Sequence, residues 1–129
     1  MLTGRVTAEK EAVVGIQVLG SAGQVTSVEA GIDTGYDGFL TLPASLIRDL
    51  DLPFAGTARA ILGDGKEVSM DLFLATVLWE DQPREVLVLA TEGGVLLGMA
   101  LLAGSRVILD VEEDGSVTIE SLAKIRGVH

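Results

Sequence analysis

Apolar residues in this chain fall in short runs, mostly of strand length, broken by polar turns rich in glycine. Val13 to Leu19 and Val25 to Ile32 flank Gly20-Ser21-Ala22-Gly23-Gln24, the pattern of a hairpin whose second arm ends at Asp33. Phe39 to Leu42 reads as a strand leaving the next loop. Pro43 to Leu50 reads as a short helix, because proline suits a first turn and Leu46, Ile47 and Leu50 fall on one face. Thr57 to Leu62 and Lys66 to Leu78 flank Gly63-Asp64-Gly65, a hairpin turn whose residues tolerate positive φ. Arg84 to Ala90 is a further strand, and Met99 to Ala103 a short helix closed by Gly104. Arg106 to Val111 and Ser116 to Ile119 form a last hairpin, and Trp79 is expected to cover the end of the sheet. No internal repeat, linker or low-complexity segment interrupts this order.

The fold class expected is all-β, with helix in the minority: apolar residues make up 48% of the chain, with sixteen glycines and only three prolines. A length of 129 residues suits one domain over residues 1–129, large enough to bury about two-thirds of its unfolded surface without disulfides or metals. The chain has no cysteine and a single histidine, His129, at its last position. Ser-His and Cys-His nucleophilic sets therefore cannot be built, and thiol and Cys/His zinc chemistry fall away. In a cofactor-free enzyme the general acids and bases are then carboxylates, with Tyr36 or the three lysines as weaker candidates. No cofactor and no metal are expected.

Charge narrows the partners. Nine basic against nineteen acidic residues leave a net charge of −10, which repels phosphate backbones and anionic membranes. Neither nucleic acid nor membrane is an expected partner. No stretch of eighteen apolar residues and no basic start before an apolar core occurs, so a cytoplasmic protein without a membrane span or signal peptide is expected.

The most informative residues are Asp33-Thr34-Gly35, placed at the end of an apolar strand and followed by Tyr36-Asp37-Gly38-Phe39-Leu40. Downstream, Val95-Leu96-Leu97-Gly98 follows the apolar strand Val86 to Ala90. With these two motifs the chain resembles the single-domain, retropepsin-like aspartic proteases of bacteria and archaea, over residues 11 to 120. The resemblance implies a small closed β-barrel with one or two short helices, working as a homodimer because each chain brings one carboxylate. It implies that Asp33 is the catalytic acid/base, that Thr34 ties the two active-site loops across the two-fold axis, and that Gly35 lets backbone amides approach the carboxylates. It also makes the hairpin Ala60 to Val68 a flap over a peptide or protein substrate. The substrate-binding candidates are Tyr36, Asp37, Ile61, Leu62, Gly63, Asp64, Gly65 and Leu97.

Two carboxylates about 4 Å apart repel by about 4 kcal/mol at an effective dielectric near 20, so such a pair holds one proton between them. Two departures from the viral members stand out. Tyr36 replaces a small residue, which implies a differently shaped first pocket, and Met99 replaces an arginine that stabilises the dimer, which implies an altered interface. Competing readings are a protease-like domain that only binds peptides and an acidic β-barrel module in which Asp33 caps a turn. Asp37 read locally is a turn residue. Asp110 to Gly115 partly mimics a calcium loop but has Ser121 where a bidentate glutamate is required, so a β-turn is expected. Gly65-Lys66-Glu67 lacks the upstream glycine and the hydroxyl of a phosphate loop.

Overall fold

A computed structural model describes residues 1–61 and 63–127. Its strands are β1 (Leu2–Val6), β2 (Ala12–Leu19), β3 (Val25–Ile32), β4 (Leu40–Pro43), β5 (Phe54–Ile61), β6 (Glu67–Trp79), β7 (Gln82–Thr91), β8 (Leu96–Leu97), β9 (Ser105–Leu109) and β10 (Ser116–Ser121). The helices are short: α1 (Ala44–Asp49), α2 (Met99–Leu102) and α3 (Leu122–Ile125). Among the described residues no helix is long and apolar enough to cross a membrane.

The strands form one sheet in the order β5-β6-β7-β4-β8-β3-β2-β1-β10-β9, and an added β6–β2 pairing closes the six strands from β6 to β2 into a barrel. Two strands make this closure possible by changing partner along their length. β6 pairs with β5 through Glu67 to Phe73 and then with β2 through Thr76 to Leu78. β2 pairs with β1 through Ala12 to Val14 and then with β6 through Gln17 to Leu19. The hairpin of β5 and early β6 therefore projects from one side of the barrel, and the β1-β10-β9 extension from the other.

Period-two alternation fills the interior. Val14, Ile16 and Val18 of β2 are buried while Gly15 and Gln17 between them are exposed. Leu40 and Leu42 of β4, Ala75, Val77 and Trp79 of β6, Val86 and Val88 of β7 and Leu97 of β8 complete the lining. Ile47 of α1 and Leu101 and Leu102 of α2 are buried in the same core. Fully burying such a side chain contributes about 1.5–3 kcal/mol, so alternation across these strands outweighs the weak local preference of each.

The sequence patterns anticipate most elements, and the departures have physical causes. β1 and α3 carry little signal of their own: β1 is five residues interrupted by Gly4, and α3 is a single turn capped by Ser121. Gly4 is required by packing, since a Cβ there would stand 1.9 Å from the Val13 carbonyl oxygen. The third helix adds to the one or two expected. Pro43 ends β4, paired with Thr91, and stands at the N-cap of α1 instead of in its first turn. β6 turns into β7 through Glu80 and Asp81, at φ 52° and 67°, a tight turn made without glycine. Residues 110 to 115 form the expected turn, closed by the Gly115 amide on the Glu112 carbonyl at 2.8 Å.

Barrel closure rests on three residue pairs between β2 and β6, of which Val18 and Val77 are opposite one another and both fully buried. Val18→Ala and Val77→Ala should each cost about 2 kcal/mol in urea unfolding, and the double variant should depart from additivity by about 0.5 kcal/mol or more. Simple additivity would mean that the two do not pack on each other.

Candidate active site

β3 runs parallel to the two-residue β8, with Gly31 beside Leu96 and Ile32 beside Leu97. This pairing delivers Asp33. The Gly31 amide donates to the Val95 carbonyl at 2.9 Å and the Asp33 amide to the Leu97 carbonyl at 3.0 Å, so the backbone of Asp33 is tied to a second strand. Its side chain is held too, because Oδ1 accepts the Gly35 amide at 2.9 Å. Asp33 as a residue is half-buried, and Thr34 and Gly35 next to it are exposed. A Cβ at Gly35 would stand 3.3 Å from Oδ1 and crowd the bonded carboxylate.

The far side of the loop is anchored on the start of α2. The Gly98 amide donates to the Phe39 carbonyl at 2.9 Å, the Met99 amide to Tyr36 at 2.8 Å and the Ala100 amide to Gly38 at 3.1 Å. A Cβ at Gly98 would lie 2.2 Å from the Gly38 carbonyl oxygen, so this approach of two loops needs glycine. Thr41 adds a brace that the sequence reading misses. It is 6% exposed, its hydroxyl donates to the Gly94 carbonyl at 3.0 Å, and it accepts the Leu96 amide at 2.8 Å. A hydroxyl between Leu40 and Leu42, two apolar residues of a strand, is the signal that could have marked it.

Two clefts meet this loop. One, of about 380 Å³, lies between Tyr36 to Phe39, Ala58 to Ala60 of the projecting hairpin, and Met70, Leu72, Leu87 and Leu89. Burial, and then the neighbouring Asp37 carboxylate, push the Tyr36 phenol above its ordinary 10.0. The other, of about 610 Å³, contains Asp33 and Thr34 together with Ile32, Val95, Leu96 and Leu109.

The candidate residues divide accordingly. Asp33, Thr34, Gly35, Tyr36 and Asp37 are contiguous on one loop, the last two at the smaller cleft. Gly63, Asp64 and Gly65 are exposed at the tip of the projecting hairpin, where Gly65 has φ +82° and the Lys66 amide donates to Asp64 Oδ1 at 3.0 Å. Ile61 is 78% exposed and lines neither cleft. Leu62 and His129 lie outside the described residues. Leu97, expected at the substrate, has a side chain that is 0% exposed and packed in the core. Side chains alternate along a strand, so Leu96 faces the larger cleft and Leu97 the core, where only its carbonyl serves the site.

Among solved structures, the solution structure of Simian Foamy Virus (mac) protease is similar, with a TM-score of 0.53 and 19% identity over 70% of this chain and 90% of that one. The chain has a retropepsin-like fold. No family model matches the chain, and no curated protein is significantly similar to it. At 19% identity the likeness reaches the retropepsin-like fold and not the side chains, which stand on the geometry above.

Thr41→Val keeps the shape of the brace and removes its two part-buried hydrogen bonds, to the Leu96 amide and the Gly94 carbonyl. It should lower stability by about 1–3 kcal/mol, read as a lower urea midpoint. An unchanged midpoint would show that water reaches both groups.

Proposed function

We propose that this protein is an aspartic endopeptidase of the single-domain bacterial and archaeal retropepsin-like kind, acting as a homodimer on peptide or protein substrates without a cofactor. The observation that carries this reading is the Asp33 carboxylate, fixed by the Gly35 amide at 2.9 Å on a loop whose backbone is tied to β8 and α2. That rigidity suits a group that must hold a water in one geometry. One chain brings one Asp-Thr-Gly, and a symmetric dimer completes the set.

In the proposed mechanism two Asp33 carboxylates share one proton across the two-fold axis, with a water between them. The ionised carboxylate takes a proton from the water as the water oxygen attacks the scissile carbonyl carbon, and the protonated one donates to the carbonyl oxygen. Collapse of the tetrahedral species breaks the C–N bond, and the amine leaves with a proton returned from the dyad. In this reading Thr34, exposed beside Asp33, ties the two active-site loops across the two-fold axis. The β5–β6 hairpin serves as the flap, with Gly63, Asp64 and Gly65 at its tip, and an extended peptide beneath it bonds through its main chain. Tyr36 and Asp37 border the 380 Å³ cleft, whose Met70, Leu72, Leu87 and Leu89 suit an apolar side chain. A cytoplasmic location belongs to this proposal.

Asp33→Asn is nearly isosteric and removes both proton-transfer states. In mass-spectrometric profiling of a peptide library it should lower cleavage by about a thousandfold or more, while the melting temperature holds or rises slightly as dyad repulsion is relieved. Undiminished cleavage by the purified variant would exclude Asp33 as the catalyst. No cleavage by the wild type at any pH would favour a domain that only binds peptides.

A further inference from the structure

We infer that β9 is the strand through which two copies of this chain pair, antiparallel, with Ile108 on the two-fold axis. This rests on the dimeric reading above and says where the dimer forms. Among the described residues β9 ends the sheet order, with β10 on one side and no strand on the other. The Asp110 amide donates to the Ser116 carbonyl at 3.0 Å, and Ile108 and Arg106 stand opposite Thr118 and Glu120. By antiparallel alternation these residues turn their backbone groups toward β10, and Ser105, Val107 and Leu109 turn theirs outward to the free edge. Natural edges are usually blunted by charge, proline or bulges, yet this one carries a single cation, Arg106. Ile108, Leu109 and Val111 are 52%, 40% and 68% exposed.

The occupant that fits is a second copy. Leu109 lines the same 610 Å³ cleft as Asp33, Thr34 and Leu96, so whatever docks on the end of β9 lies against the Asp33 loop. Only another copy brings the second Asp33 that the proposed chemistry needs. The other free edge, β5, borders the smaller cleft, which the substrate is proposed to fill.

Charge selects the register. A two-fold axis at Ile108 sets Val107 opposite the partner's Leu109 in hydrogen-bonded pairs, stacks the two Ile108 side chains, and places Arg106 opposite the partner's Asp110 twice. An axis at Val107 sets Arg106 against the partner's Ile108, and one at Leu109 sets Ile108 against the partner's Asp110. Both leave a charge facing an apolar side chain. The Ile108 register also gives each chain, at −10, two attractive contacts where the repelling bodies meet.

Sedimentation equilibrium of the full chain at micromolar concentrations tests this, with circular dichroism and melting temperature as controls on the fold. Ile108→Lys and Arg106→Asp should each weaken dimerisation by about tenfold or more, and adding Asp110→Arg to Arg106→Asp should restore most of it. A wild-type dimer that all these variants form equally well would overturn the β9 interface and leave the dimeric reading standing. Failure of the double variant to recover would overturn the Ile108 register. A wild type that stays monomeric at every concentration would overturn the interface and the dimeric reading together.

Discussion

The 3.0 Å bond from the Asp33 amide to the Leu97 carbonyl joins two parts of the chain more than sixty residues apart, at the point where a parallel strand pair runs out. β3 and β8 are parallel, β8 meets β4 antiparallel at Leu40 and Leu97, and β4 runs parallel to β7. The loop from Asp33 to Phe39 must therefore leave one strand and enter another across β8, and Gly98 lets it pass at backbone distance. Once that crossing is made, the carboxylate has little freedom, since Gly35 holds its oxygen and α2 holds the rest of the loop. The barrel interior contributes the stability that keeps the crossing closed.

A consequence is that the side chains serving the site and those serving the core alternate along the same short strands. Leu96 and Leu97 are neighbours with opposite fates, as are Thr41 and its flanking leucines. Much of the chain was legible from its sequence because the alternation is regular and the turns carry glycine or aspartate. The β2–β3 hairpin, the strand that delivers Asp33, the projecting β5–β6 hairpin and the helix after Pro43 all follow from those patterns. The misses are of another kind. Parity in a two-residue strand cannot be read without its neighbours, so the burial of the Leu97 side chain was not legible. β1 depends on partners at both flanks, Val14 and Ile119 among them, and has too few residues to announce itself. The Glu80-Asp81 turn adopts positive φ without the residue that normally signals it.

The two clefts divide the labour of the proposed enzyme. The smaller one, walled by the hairpin and floored by leucines and Met70, has the chemistry of a pocket for an apolar side chain. The larger one holds Asp33 and Thr34 beside Leu109 at the end of β9, where the proposed second chain would dock. In the proposed dimer, substrate and partner would approach the same loop through different clefts, so a site built from two copies would keep an open groove.

The central claim is that one active site needs the carboxylates of two chains. Mixing wild type with increasing amounts of Asp33→Asn tests it directly, because every mixed dimer carries a single aspartate. At constant total protein well above the dimer dissociation constant, peptide cleavage should fall as the square of the wild-type fraction. Cleavage that falls only in proportion to that fraction would show that each chain works alone, and would contradict the claim.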